Sequence, residues 1–210
     1  MPTPVTIATT NAHKAEEIQA LLGDGFACRT LNDFPGAPEV EEDAATFAGN
    51  AVKKALSLVS WLKQNEDFTE GWVLADDSGL EVDCLDGAPG VRSARFAATE
   101  NRHGNTTDEQ NNAKLLNELQ GRPAHHRSAR FRCVLALAAT GRFGQPELFK
   151  GSVEGQITEN PRGENGFGYD PLFVPDGFSQ TFGELGADIK NQLSHRAAAL
   201  RKLSNWLESR

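Results

Sequence analysis

Residues 73–83, Val-Leu-Ala-Asp-Asp-Ser-Gly-Leu-Glu-Val-Asp, constrain this chain more than any other stretch. An apolar run leads directly into two adjacent carboxylates, a hydroxyl and a glycine, and extended residues then resume. A buried strand presents reactive groups at its end in this way. Two neighbouring carboxylates repel one another and lose hydration on burial, so apolar surroundings call for a cation or a shared proton beside them. Hard oxygen ligands at this density suit Mg²⁺. Side chains alternate along a strand, so Asp76 and Asp77 converge only where Ser78 and Gly79 break it, and glycine eases such a turn. One aspartate would then touch a metal and its neighbour support it. The plainer alternative is that Asp and Ser cap a turn through their own backbone.

At 210 residues the chain has room for one large domain or two lobes sharing a core. A formal charge of −8 excludes a general nucleic-acid or membrane-surface role, which needs clustered Lys and Arg. An anionic ligand has to be met by local positive charge. No run approaches the roughly 20 apolar residues of a membrane span, and the N-terminal segment has no basic leader. Cys28, Cys84 and Cys133 lie far apart without zinc or redox spacing and read as small core residues in a reducing compartment. These features predict a cytoplasmic protein with no nucleic-acid and no membrane partner.

Taken in order, Val5 to Ala8 reads as a strand and Ala12 to Leu22 as a helix with Ala15, Ile18, Leu21 and Leu22 at helical spacing. Thr9, Thr10 and Asn11 supply capping side chains between them. With Lys14 they make either a phosphate-binding helix start or an ordinary cap beside a solvated lysine. A second strand over residues 26–30 precedes a Pro-rich loop and the acidic run Glu39-Val40-Glu41-Glu42-Asp43. Such a run is usually solvated, yet it stands just before Thr46 and a helix over residues 46–65, and one member can turn inward as a metal ligand.

Residues 85–95 are a Gly/Pro-rich shaped loop in which Ser93 and Arg95 face phosphate or, for Arg95, a structural ion pair. Thr107 and Gln110 form a capping box for a helix through Leu119, and His125 and His126 fall on a surface loop. Residues 130–139 form a core-crossing strand; Glu147 to Ile157 alternates with Phe149, Val153 and Ile157 on one face, as a half-exposed antiparallel strand does. Parallel and antiparallel signals together predict a mixed sheet in an α/β domain.

Gly166-Phe167-Gly168-Tyr169-Asp170 lets backbone approach a ligand closely while an aromatic offers a stacking face, or else is a glycine-rich turn that buries its aromatics. Ser194 caps a last helix through Leu207, with Lys190, His195 and Arg196 gathered near its start.

The ordered set Thr9-Thr10-Asn11-x-x-Lys14, Glu41 before Thr46-Phe47-x-x-Asn50-Ala51, Ala75-Asp76-Asp77-Ser78-Gly79-Leu80, Gly90-Val91-x-Ser93-Ala94-Arg95, Gly166-Phe167-Gly168-Tyr169-Asp170-Pro171 and Ser194-His195-Arg196 closely resembles the inosine/xanthosine triphosphate pyrophosphatase family. The resemblance implies a single bilobed α/β domain over residues 1–210, a central mixed sheet flanked by helices, an active-site cleft between lobes, and a homodimer. It implies Mg²⁺-dependent hydrolysis of dITP, ITP and XTP to monophosphate and pyrophosphate, which cleanses the nucleotide pool. By position, Asp77 would be the proton acceptor and a metal residue, Glu41 a second metal residue, and Ser78 a substrate contact. Thr9, Thr10, Asn11, Ala12, His13 and Lys14 would hold the phosphate chain, with Phe167, Gly168, Tyr169, Asp170, Lys190, His195 and Arg196 on the nucleotide and base side.

The pattern departs from the family at Gly49, where glutamate is common, and at Arg92. A septum-formation-inhibitor-type pyrophosphatase is the nearest alternative, but its Arg-rich signature is missing after Ala8. A nucleotide-sensing module would need no base, and the Glu41/Asp77 pair argues against it.

Overall fold

A parallel pair of strands starts the fold, β1 (Thr3–Ile7) on β2 (Phe26–Thr30), joined by helix α1 (Ala12–Leu22). Such a connection needs a crossover helix, and the chain provides its caps. Asn11 Oδ1 accepts the Lys14 N–H at 3.0 Å, and Gly23 ends the helix at φ +69°, a conformation that strongly favours glycine. The computed structural model describes residues 2–64, 71–99, 104–141 and 144–209.

Helix α2 (Phe47–Leu62) starts at Thr46, whose hydroxyl accepts the Gly49 N–H. The expected end of this helix near Asn65, and the first part of the polar segment 101–107, lie outside the described residues. Strand β3 (Trp72–Val82) pairs in parallel with β1, Val5 opposite Trp72 and Ile7 opposite Leu74. Helix α3 (Asp108–Glu118) begins on the predicted Thr107/Gln110 capping box. Strands β4 (Ser128–Ala139), β5 (Glu147–Ile157) and β6 (Phe173–Pro175) follow, then helices α4 (Ala187–Leu193) and α5 (His195–Glu208). The six-stranded sheet runs β2-β1-β3-β4-β5-β6, and with β5–β6 antiparallel it is mixed, as expected. The alternation read along β5 also holds: Phe149, Gly155 and Ile157 are buried while Lys150, Glu154 and Gln156 are exposed.

The chain divides into two compact units, Met1–Asp77, Cys133–Gly151 and Arg196–Arg210 in the first, Ser78–Arg132 and Ser152–His195 in the second. In the first, Ile7, Ile18, Leu74, Leu135 and Leu200 form the core, with Trp206 edge-on to Trp72 at 5.9 Å. In the second, Leu80, Leu115, Phe131, Leu172, Phe173 and Phe182 form the core, Phe131 lying 4.7 Å from Phe173. No helix among the described residues is long and apolar enough to cross a membrane.

One expectation is overturned. The strand does not break at Ser78 and Gly79; β3 is continuous to Val82. Leu80 and Val82 are fully buried, and the Ser93 hydroxyl accepts the Leu80 N–H at 2.9 Å, so tertiary burial overrides the weak strand propensity of glycine. Asp76 and Asp77 therefore point to opposite faces of the sheet.

Gly155 marks the tightest approach in β5. A methyl there would run into the Val174 carbonyl and the Phe173 ring. Gly155→Ala should lower stability by about 1–3 kcal/mol through overpacking at the β5–β6 pair, read as a drop in thermal midpoint.

Candidate functional site

Asp76 is 1 % exposed, and each of its oxygens has a cationic partner. Lys14, in the first turn of α1, reaches Oδ1 at 2.7 Å; Arg196, in the first turn of α5, donates from Nε to Oδ2 at 3.2 Å. The Cys133 thiol of β4 also donates to Oδ2, at 3.1 Å, and Arg196 also pairs with Glu17 of α1. Burial opposes ionisation of Asp76, but Arg196 and then Lys14 outweigh it and hold its carboxyl well below the usual carboxylate range. Burial, with Asp76 beside it, pushes the Cys133 thiol well up. This cysteine is a neutral donor.

Asp77 looks the other way and meets α2. Asn50 and Lys54 stand one helical turn apart, so both face the same side. Asn50 Nδ2 donates to Asp77 Oδ2 at 3.1 Å while its Oδ1 accepts the Ala44 N–H at 2.9 Å, tying helix, strand and preceding loop together. Lys54 Nζ bridges Asp77 Oδ1 at 3.2 Å and Glu42 Oε1 at 2.8 Å. Burial dominates at Asp77 and, despite Lys54 and Lys14, raises its pKa, with Glu42 adding like-charge repulsion. Adjacent carboxylates on one strand thus shift in opposite directions: the pKa of Asp76 is held well down, and that of Asp77 is raised.

Thr9 to Lys14 stay near the start of α1. Thr9 is half-buried and its Oγ1 accepts the Asn11 N–H at 3.1 Å; Thr10, Asn11, Ala12 and His13 are exposed. Of the acidic run, Glu41 is exposed, whereas Glu42 is the member held against Lys54. The two are adjacent, and only packing selects one. No group of three or more metal-ligating side chains gathers among the described residues. Gly49 sits against Ala44, whose Cβ lies 2.8 Å from where a Cβ on Gly49 would be, so a glutamate there would require the loop to shift.

The second unit carries the remaining predicted residues. Ser78 is half-buried. Asp170 Oδ2 accepts the Phe167 N–H at 2.8 Å and the Lys190 ammonium at 2.6 Å, and that ammonium lies 4.6 Å from the centre of the Phe167 ring. Tyr169 is buried with its hydroxyl donating to the Ser93 carbonyl at 2.9 Å, and burial pushes its phenol up. The Ser93 hydroxyl is engaged by Leu80 and Gly90, so this serine shapes the loop and does not face a ligand. His195 is buried, stacked on Phe131 at 4.9 Å. Arg196, grouped with it by sequence, turns its guanidinium to Asp76 and Glu17. Lys54, Asn50, Glu42, Glu17 and Cys133 are the neighbours that sequence reading missed. Asn50 stood in the family motif and Glu42 in the acidic run, each without a role of its own, and the helical spacing of Asn50 and Lys54 was the signal for Lys54.

A mixed α/β sheet carrying a lysine-flanked carboxylate pair in its third strand, with a glycine-flanked aromatic in the loop that precedes β6, defines the class of this protein. The sequence model of the Ham1 family matches residues 5–206, and the chain belongs to that family. It is 49% identical over 199 residues to a dITP/XTP pyrophosphatase of Desulforamulus reducens, covering 94% of this chain and 92% of that one. It is 46% identical over 206 residues to a dITP/XTP pyrophosphatase of Geobacter sulfurreducens, covering 98% and 96%. Among solved structures, a HAM1 protein from Coxiella burnetii superposes with a TM-score of 0.83 at 36% identity, covering 99% of this chain and 100% of that one.

The buried pairing gives a pH-dependent expectation. Asp76 is held below its unfolded pKa of about 3.9, so the folded state binds fewer protons; its stabilisation is complete above that pKa and is lost as pH falls toward the folded value. Asp76→Asn removes the counter-charge of Lys14 and one of the two that face Arg196, and should cost about 3–5 kcal/mol at neutral pH. In denaturant unfolding the gap from wild type should narrow as pH approaches ~3.

Proposed function

We propose that this protein is a Mg²⁺-dependent nucleoside triphosphate pyrophosphohydrolase that cleaves non-canonical purine nucleotides, dITP, ITP and XTP, between the α- and β-phosphates. The carrying observation is Asp77: a buried carboxylate with a raised pKa, held by Asn50 and Lys54, one residue from the Asp76–Lys14 pair. The dITP/XTP pyrophosphatase names of relatives matching nearly the whole chain support the same substrate class.

A general base works best when its pKa lies closer to the working pH than that of an ordinary carboxylate. Burial moves Asp77 in that direction, so it accepts the proton of the attacking water. Lys54 fixes Oδ1 and Asn50 fixes Oδ2, which leaves little rotational freedom to the carboxylate. The start of α1 offers the positive end of its dipole to phosphate oxygens, and Lys14, aimed by Asp76, adds a full charge. By resemblance to the family, the phosphates are assigned to the α1 residues and the purine to Phe167 and its neighbours.

The donor set fits a hard divalent cation. Mg²⁺ is typically held by one or two carboxylates and completed by phosphate oxygens and water, and Asp77 with an acidic residue of the 39–43 run supplies that number. Within the run, Glu42 is the carboxylate that shares Lys54 with Asp77, while Glu41 is the residue implied by family position. When bound there, the metal would neutralise phosphate oxygens and polarise the phosphorus under attack. A homodimer is proposed from family resemblance, and sedimentation would measure it.

Purified protein with Mg²⁺ should release pyrophosphate from dITP and XTP in preference to ATP, GTP and dTTP. Orthophosphate as first product would overturn the cleavage position. Asp77→Asn should fold normally and lose at least ~10²-fold in kcat. Lys14→Ala should raise KM, and an unchanged KM would remove it from phosphate binding. EDTA should abolish turnover and added Mg²⁺ restore it; activity persisting in EDTA would reject the metal requirement.

A further inference from the structure

Gly168, in the middle of the Phe167 to Asp170 loop, adopts φ +63° and is gripped from both sides by one helix. Its N–H donates to Asp108 Oδ2 at 2.6 Å, and its carbonyl accepts Asn112 Nδ2 at 3.0 Å. Asp108 and Asn112 stand one turn apart on α3 and so project from the same face. The helix is itself anchored: Thr107 and Gln110 close its capping box, and buried Asn111 accepts the Ala97 N–H at 2.8 Å and the Thr106 hydroxyl at 2.7 Å. On the other flank of the loop, Asp170 accepts the Phe167 N–H. The backbone on either side of the Phe167 ring is thereby fixed.

Asn112 is a poor choice on stability grounds. Its Oδ1 is buried and has no hydrogen-bond partner among the described residues. Leucine, of similar size, would fill the space without stranding an acceptor. Turning the amide over would set oxygen against the Gly168 carbonyl, so the donor orientation is fixed by its one bond. The side chain holds Gly168 while leaving its own oxygen unsatisfied.

We propose that Asp108 and Asn112 are positioning residues that, by clamping Gly168, aim the Phe167 ring as the stacking platform for the nucleobase. This rests on the reading that the Phe167 loop receives the purine. The clamp acts on base recognition alone, so its loss weakens nucleotide binding uniformly, in ground state and transition state, and leaves the phosphate contacts intact.

The test compares dITP with inorganic tripolyphosphate, which presents the phosphates without a base. Asn112→Leu should raise KM for dITP about 5-fold or more, the scale of a weakened aromatic–base stack, with kcat held within about 2-fold. Inhibition by tripolyphosphate should be unchanged and the thermal midpoint equal or higher. Asn112→Asp, which sets an oxygen against the Gly168 carbonyl, should raise KM further, and Asp108→Asn should raise it in the same direction. An unchanged KM for dITP, or equal weakening of dITP and tripolyphosphate, overturns the proposal while the hydrolytic function stands. Calorimetric titration of IMP, the product of ITP cleavage, into wild-type and Asn112→Leu protein asks the same question without turnover. Equal affinity for the two proteins overturns the platform, and no binding of IMP to wild type would overturn both the platform and the purine reading.

Discussion

A carboxylate removed from water carries a penalty of several kcal/mol that only well-placed cations offset, and Asp76 is removed almost completely. Lys14, Arg196 and Cys133 meet it from α1, α5 and β4, so three elements are referenced to a single side chain of β3. Apolar packing of Ile18, Leu74 and Leu200 tolerates small slips, because dispersion is non-directional. The three bonds to Asp76 tolerate none. Register between α1, α5 and the sheet is therefore specified by electrostatics within a core whose bulk stability is hydrophobic.

Continuity of β3 through Gly79 gives two identical side chains unlike tasks. Since successive residues face opposite sides, Asp76 is met by Lys14, Arg196 and Cys133 and Asp77 by Asn50 and Lys54, and their ionisation tendencies separate. One is a fixed negative charge that aims a lysine. The other sits where burial outweighs its cations and raises its pKa, the direction that the proposed base role calls for. Separating neighbouring carboxylates by strand alternation needs no turn, no strain and no additional residues.

Local chemistry made much of the fold legible. The caps at Asn11 and Thr107 and the two-residue period of β5 are signals a few residues long, and the structure places them as read. What misled or escaped was decided by packing at a distance. Glycine at 79 looked like a break, but buried neighbours on both sides hold it extended. Glu41 and Glu42 are indistinguishable by composition, and the position of Lys54 selects between them. Arg196 read as one more cation at a helix start, while its partner lies 120 residues away. The grip of α3 on Gly168 joins residues 56 and 60 positions apart, and no local pattern announces it.

The chain passes between its two units four times, at 77/78, 132/133, 151/152 and 195/196, and three of these crossings fall inside strands. Neither unit is a continuous piece of polypeptide. During synthesis, Asp76 emerges with its aspartate neighbour and waits through more than half the chain for the arginine that neutralises it. Domains made in the ordinary vectorial way fold as each is completed. Here the first unit cannot close until residues 196–210 have been made, so until then the nascent chain holds Asp76 with Lys14 but without Arg196, beside an open apolar core.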